Sequence, residues 1–410
     1  MRDISVKDKN VGIICEYNPI HSGHIYQIKT LRDSGAKTII CLMSGNFTQR
    51  GEFALADKYV RAESALMCGA DLVLELPFPY CCASADYFAR AGVYILEALS
   101  ADTLCFGSER AELCDLYSMA EIVDSEKFKR DYQNNVKGSV GMAKAYFDTL
   151  EKTLKNGSGQ LLSNDILALA YVKAIIKGQC DIEPYIIHRQ GSEYNCENLP
   201  NNNGEYASAT ALRKIIVSEG VLALRDKDYM TGEVMELYGR VENGEYGYAD
   251  IKNIERAILL FFRQNGESLT KSGVQNLYGG LIGRICKGAQ WAKTYDELVC
   301  SVSTKKYTDS AVRRAIIYCL CKVEPKDLKN PPAYVNLLAT NKRGREYLSE
   351  VRGKTGIAVI TKPADFASLD SLYAKRQAEV ASQCDALYTL SFQNPADSDL
   401  YIKKHPIIKK

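Results

Sequence analysis

At 410 residues, 46% hydrophobic and 25% charged, the chain has an ordinary globular composition and the length for two or three domains around a large core. Residues 1–10 are polar and charged, and no apolar run reaches the length of a bilayer span. No secretory leader or membrane helix is therefore expected, and we anticipate a soluble, cytoplasmic protein.

The first strand is expected over Val11 to Cys15, an apolar run broken by Asn18 and Pro19. His21-x-Gly23-His24 follows and opens a helix to about Leu31. A helix N-terminus with unpaired N–H groups, a glycine and two imidazoles makes an anion site suited to charge developing on a phosphate. Lys37 to Ser44 reads as a second strand, Leu55 to Gly69 as a helix, and Asp71 to Leu76 as a third strand closed by Pro77. Ser84 to Ser100 reads as a helix, Thr103 to Gly107 as a fourth strand and, after a helical region, Asp181 to His188 as a fifth. Apolar strands alternating with helices imply an α/β fold with a parallel sheet covered on both faces. Ligands of such a sheet bind beyond the carboxyl ends of its strands. That edge would collect His21 and His24, Ser44-Gly45-Asn46, Gly107-Ser108-Glu109 and Arg189.

Several polar residues have two readings. Gly107 lets backbone approach a nucleotide. Asn164 either reads a nucleotide or caps a helix starting at Ile166. Arg189 suits a phosphate or is a strand-end charge. Gln49 and Arg50 are substrate candidates in the loop after the second strand, whereas Lys58 and Arg61 read as surface charges of a helix. The stretch Asn195 to Gly204 reads as a mobile loop beside the active site. Tyr206-Ala-Ser208-Ala-Thr210-Ala-Leu-Arg213 then opens a helix, with Ser208 as N-cap and Thr210 and Arg213 facing an incoming phosphate.

The formal charge of +2 hides an asymmetry. Residues 251–410 carry 26 Lys+Arg and 15 Asp+Glu, a net +11, and the rest carries 26 and 35, a net −9. A basic second part suggests a polyanionic partner, nucleic acid first. Helical periodicity marks Ile251 to Arg263, Val312 to Val323 and the segment near Asn341 to Val351. The expected division is a catalytic region over 1–220, a mainly helical basic region over 221–330 and a small α/β piece over 331–410. Strands at Gly356 to Ile360 and Ala386 to Leu390 and a helix at Ser371 to Cys384 are anticipated in the last piece. Lys305, Lys306, Arg313, Arg314, Lys342, Arg343 and Arg345 are candidate RNA-phosphate contacts, with Tyr307 to stack on a base. Arg313 and Arg314 are expected outside the nucleotide crevice. The 14 cysteines lie mostly inside apolar runs without a CxxC pair, so reduced core thiols are expected and no metal ligands are assigned.

His21-x-Gly23-His24 resembles the HxGH signature of the nucleotidyltransferase superfamily, and Ser208-x-Thr210-x-x-Arg213 is similar to its S-x-T-x-x-R element. Longer segments resemble one family, the tRNA(Met) cytidine acetate ligases: Gly12 to His24, Ser44 to Ala54, Gly69 to Phe78, Phe106 to Glu109, Ser163 to Tyr171, Ile187 to Gly191, Ser208 to Lys214, Lys305 to Arg314 and Tyr334 to Leu348. Phe53 stands where the family pattern has a proline. Asn336 stands where an arginine is usual, and that departure touches one RNA contact. The resemblance implies a Rossmann-like parallel sheet of the nucleotidyltransferase type. It implies a ligase that activates acetate with ATP as acetyl-adenylate, releases pyrophosphate, and acetylates N4 of the wobble cytidine of elongator tRNA(Met). Mg²⁺ would accompany the ATP, and no protein partner is indicated. It places ATP contacts on Ile13, Ile14, Cys15, Glu16, Tyr17, Asn18, Pro19, Ile20, His21, Ser22, Gly23, His24 and Ile25, and on Gly107, Asn164 and Arg189. Ser208 and Thr210 would hold phosphates, and His21, His24 and Arg213 would stabilise the transition state. Two other functions fit parts of the sequence. One is adenylation of a small metabolite, which leaves the basic second part unexplained. The other is a nucleotide-binding adaptor without catalysis, which leaves the intact motifs unexplained.

Overall fold

The computed structural model describes residues 5–137, 142–154, 162–188, 206–225, 227–274 and 278–410. The five expected strands form: β1 (Asn10–Cys15), β2 (Thr38–Ser44), β3 (Leu72–Leu76), β4 (Thr103–Ser108) and β5 (Glu183–His188). They are parallel neighbours in the order β5-β4-β1-β2-β3. The order reverses between β1 and β4, so the crevice where ligands bind an open α/β sheet lies above those two strands. Right-handed crossovers put helices Ser22–Asp33 and Lys58–Met67 on one face and Ala85–Ala98 and Ser163–Gly178 on the other. β2 and β3 are buried along their whole length, as a sheet covered on both faces requires.

The sheet does not end at β3. An unanticipated strand, β6 (Tyr334–Thr340), pairs antiparallel with it, Leu72 opposite Thr340 and Glu75 opposite Asn336. β7 (Ala358–Ile360) and β8 (Ile407–Ile408) pair parallel with β6. Residues beyond 330 thus extend the first sheet across the boundary drawn from the sequence. Ala386 to Leu390, expected as a strand, is largely the end of helix Leu372–Thr389. A short apolar run cannot separate a strand from a buried helical turn. Here Val380, Cys384 and Tyr388 recur every four residues on the buried side.

Between these parts the chain is helical. Leu281–Ala289 packs against Glu255–Gln264, Tyr295–Val302 and Asp309–Leu320. The last of these docks on the catalytic part: Tyr318 Oη donates to the carbonyls of Pro79 (3.2 Å) and Cys82 (2.8 Å). Every described cysteine is a free thiol, most of them buried. No described helix is long and apolar enough to cross a membrane.

Candidate active site

β1 ends in a buried loop, Glu16 to Ile20, that delivers His21 as the N-cap of helix Ser22–Asp33. His21 is 3% exposed. Its Nδ1 accepts from Gly23 N–H at 3.2 Å, so the proton of the neutral imidazole sits on Nε2 and remains a donor. The His21 and His24 rings lie 3.9 Å apart between centroids, and Tyr17 meets His24 edge-on at 5.0 Å. Tyr17 is buried, with its Oη 3.4 Å from Cys41 Sγ. The expectation of unpaired N–H groups at this helix start is corrected. Ser22 N–H donates to Tyr229 O (2.7 Å), and His24 N–H to His21 O (2.8 Å). A side chain caps its own helix and the middle of the chain supplies a carbonyl, leaving the imidazoles as the site's donors.

The second motif meets the first here. Ser208 caps helix Ala209–Glu219 through Ala211 N–H at 3.1 Å. From the first turn, Arg213 donates Nη1 to Asn18 O (2.8 Å) and Nη2 to Thr210 Oγ1 (3.3 Å) and Glu52 Oε2 (3.2 Å). Asn18 is itself fixed by Leu55 N–H on its Oδ1, 2.8 Å away. One guanidinium thus joins elements separated by 195 residues beside the two imidazoles. Glu16 completes the group. Its Oε1 accepts from Gln49 N–H at 2.7 Å, and burial pushes its carboxyl above the usual range, with the Gln49 bond opposing.

On the other side of the switch point, Gly107 and Ser108 lie within β4 and are followed by Glu109. Asn164 sits inside the first turn of helix Ser163–Gly178, not at its cap, and its N–H donates to Glu109 Oε2 (3.0 Å). The neighbouring Asp165, which the sequence reading passed over, organises this edge. It accepts from Ser108 Oγ (2.8 Å) and from the N–H groups of Glu109 (2.9 Å) and Arg110 (3.2 Å). Burial alone would raise its carboxyl, but these hydrogen bonds outweigh that and hold it below the usual range. An aspartate three residues into a helix, reaching back to Leu162 N–H at 3.2 Å, was the available signal.

Comparison with known proteins fits this geometry. The model of the HIGH Nucleotidyl Transferase family matches residues 8–401. A tRNA(Met) cytidine acetate ligase of Caldanaerobacter subterraneus subsp. tengcongensis is 33% identical over 97% of this chain and 99% of its own. The chain belongs to the tRNA(Met) cytidine acetate ligase family. An Acetivibrio thermocellus member of that family is 33% identical over 95% of this chain and 96% of its own. The crystal structure of Thermotoga maritima TmcAL in an apo form superposes with a TM-score of 0.89 at 26% identity, covering 98% of this chain and 99% of that one. The same protein bound with alpha-thio ATP gives 0.86 over the same shares.

Within this family fold the expected site residues divide. Ile13, Ile14 and Cys15 in β1, Glu16 to Ile25, Gly107, Asn164, Ser208, Thr210 and Arg213 border one crevice. Arg189 and the stretch Asn195 to Gly204 lie outside the described residues. Arg313 and Arg314, expected away from the crevice, stand at its wall. Arg313 Nη1 pairs with Glu52 Oε1 at 3.0 Å, the carboxylate that also holds Arg213, and Arg314 Nη1 donates to Gln49 O at 2.9 Å. Their helix seats on Gly51, whose φ is +74° and where a Cβ would come within 2.7 Å of Arg314 N. Lys305 and Lys306 are exposed just before this helix. Tyr307 is half-buried against the core, with Lys306 Nζ 5.2 Å from its ring.

Lys342, Arg343 and Arg345 are also exposed, but they follow the carboxyl end of β6. Because β6 runs antiparallel, that end adjoins the start of β3, at the sheet edge opposite the crevice. Lys58 and Arg61 are not surface charges. Lys58 is 3% exposed and bonded to Glu75 Oε1 (3.0 Å) and Asp385 Oδ2 (2.8 Å). Arg61 is fully buried and donates to Glu16 O (2.6 Å), Ser44 O (3.1 Å), Ala56 O (2.9 Å) and Gly45 O. It clamps the loops after β1 and β2 together. Asn336 is likewise not a free RNA contact, since its Nδ2 donates to Glu75 Oε2 at 2.8 Å. Phe53 packs on Phe47 at 4.5 Å between ring centroids.

Proposed function

We propose that the chain is an ATP-dependent ligase that activates acetate as acetyl-adenylate and acetylates N4 of the wobble cytidine of elongator tRNA(Met). In the first step an acetate oxygen attacks the α-phosphorus. An acyl–phosphate bond forms, the bond to the β-phosphate oxygen breaks, and pyrophosphate leaves. Acetate is already an anion, so the demand on the protein is positive charge and donors around a crowded set of negative groups. His21 Nε2–H, His24 and Arg213 supply them, with Ser208 and Thr210 at the same helix start. In the second step the cytidine amine attacks the acetyl carbonyl carbon, the carbonyl–phosphate bond breaks, AMP leaves and the amine loses a proton. The anhydride survives until then if water is kept out, and the helix over Asp309–Leu320 walls the crevice where that protection is needed.

Among the described residues no group of three or more His, Cys, Asp or Glu side chains could hold a metal ion. Mg²⁺ would ride on the nucleotide's own phosphates and water, its ordinary mode, and no step is assigned to it. RNA phosphates would meet Lys305, Lys306, Arg313 and Arg314. Lys342, Arg343 and Arg345 face a different part of a large RNA.

The observation that carries this reading is the hydrogen bond from Arg213 to Asn18 O, which joins the two phosphate-binding motifs above the switch point. The basic helix seated on the loop after β2 favours an RNA acceptor over a small metabolite. The test is incubation with ATP and labelled acetate, with and without tRNA. AMP, pyrophosphate and labelled tRNA are expected. Transfer from acetyl-CoA without ATP would overturn the acyl donor, and AMP formation with no labelled RNA would return the small-metabolite function.

A further inference from the structure

A second cavity, of about 250 Å³, opens beside β6 and β7, away from the β1/β4 crevice. It is larger than the engineered apolar cavity of about 150 Å³ that admits a benzene ring. Aromatic rings form its walls: Tyr59 and Tyr401 lie parallel at 6.2 Å, and Phe366 meets Tyr334 edge-on at 5.6 Å. Lys58, Asp385 and Asn336 form its floor, and Lys362 and Lys404 stand at its mouth.

Three buried polar atoms lining this cavity, Tyr334 Oη, Tyr401 Oη and Asn336 Oδ1, have no hydrogen-bond partner. Tyr334 is fully buried and Tyr401 is 6% exposed. Protein interiors leave few such atoms, because each gives up its hydration for nothing. Three of them around one space point to an absent ligand. The Nδ2 donation from Asn336 to Glu75 fixes that amide with its oxygen as the free acceptor.

The chemistry of that ligand follows from the lining. Lys58 already spends its three protons on Glu75 Oε1 (3.0 Å), Glu75 Oε2 (3.1 Å) and Asp385 Oδ2 (2.8 Å), so the floor offers an anion no ammonium donor. One ammonium between two carboxylates leaves the floor negative, and it calls for N–H donors. The walls call for a flat ring. At the mouth, Lys362 carries an exposed ammonium, and Lys404 Nζ sits 5.0 Å from the Tyr59 ring. A nucleotide entering base-first, with an exocyclic amine inward and its phosphate outward, meets all three demands. A free phosphate fails at the floor, and a fatty acid leaves the three polar atoms unpaired.

The cavity is tied to the active site. Arg61 holds Gly45 O and Glu16 O together, and the next residue, Asn46, donates Nδ2 to Asp385 Oδ1 at 2.9 Å. β6 is three strand spacings from β1, about 14 Å. We propose that this cavity receives a second, unreacting nucleobase of the RNA substrate, one carrying an exocyclic amine, from the single-stranded loop that presents the cytidine. The inference rests on the RNA-acetylating function above.

The test uses the full chain and an anticodon stem-loop RNA in which each loop nucleotide in turn is made abasic. Wild type is compared with Tyr334→Phe/Tyr401→Phe and with Ala381→Trp, which fills the cavity. One loop position other than the reacting cytidine should cost wild type roughly tenfold in affinity when abasic, the scale of one stacked base. Both variants should bind intact RNA roughly tenfold more weakly and lose nothing further at that position. Their ATP–pyrophosphate exchange with acetate alone should be unchanged. The tyrosine variant sheds only unpartnered hydroxyls, so its melting temperature should hold or rise. Variants that bind intact RNA like wild type, or abasic penalties that simply add to theirs, would overturn the base pocket while leaving RNA acetylation intact. Failure of wild type to bind or acetylate any RNA would instead overturn the functional reading, and the base pocket with it.

Discussion

Two three-membered charge groups tie the first part of the chain to the last, and they are built in opposite ways. At the crevice, Arg213 and Arg313 share the single carboxylate of Glu52, each side chain 22–30% exposed. Beside β3, Glu75 and Asp385 share the single ammonium of Lys58, with 4–16% exposure. The first has a spare positive charge in reach of solvent and can turn a guanidinium toward an incoming anion. The second has a spare negative charge with nowhere to go. A surplus charge kept near water is available for binding, whereas one kept in the interior holds structure and repels anions.

The sharpest way to break this contrast is to remove Lys58. Lys58→Met should cost about 3–5 kcal/mol of stability, because two buried carboxylates lose their partner, and urea denaturation measures it. A loss under 1 kcal/mol would mean the group is more hydrated than its burial implies. Arg213→Ala should do the reverse, lowering ATP-dependent acetylation by about 10²–10³, the loss for one transition-state donor, with little change in melting temperature. His24→Ala should match it. If Arg213→Ala unfolds the protein, the crevice group is structural as well.

A smaller effect tests the sharing of Glu52. Arg313→Ala leaves that carboxylate wholly to Arg213 and should raise the ATP requirement by about two- to fivefold, the scale of a partly exposed ion pair, besides weakening tRNA binding. tRNA affinity should fall with salt by roughly 0.7 log units per log salt for each single-strand phosphate contact. Loss of one slope unit without any ATP effect would place Arg313 on RNA alone.

The smallest effect is in pH. Burial, together with Glu75 and against the pull of Lys58, raises the Asp385 carboxyl to about 6. That lies above its unfolded value of about 3.9, so between the two the folded state binds more protons and stability falls as pH rises. The stability difference between wild type and Asp385→Asn should therefore be most favourable to wild type near pH 4 and shrink through about pH 6. A difference that is flat with pH would show Asp385 ionised throughout.

What the sequence made legible was local. His21-x-Gly23-His24 and Ser208-x-Thr210-x-x-Arg213 each carry their chemistry within a few residues, and the strands before them are continuous apolar runs. What it hid was long-range. Lys58 and Arg61 read as surface charges because the partners of Lys58 lie 17 and 327 residues away. A signal was present in Glu75, a carboxylate inside an apolar strand, which needs a buried cation. Arg313 and Arg314 looked like phosphate contacts because only the fold shows their helix seated on Gly51. β6 was missed because Tyr334 to Thr340 has strand-like residues but no clue to which edge it joins.

That edge has a consequence for synthesis. β3 is hydrophobic on both faces, and Asn336, which faces Glu75 across the ladder, emerges 261 residues later. At about 5–20 residues per second, the nascent chain carries an open, apolar strand for roughly 10–50 s before its partner leaves the ribosome. An unpaired strand of this kind invites pairing with other chains. The protein should thus depend on chaperones during translation, and a fragment released before Tyr334 should aggregate even with its catalytic motifs complete.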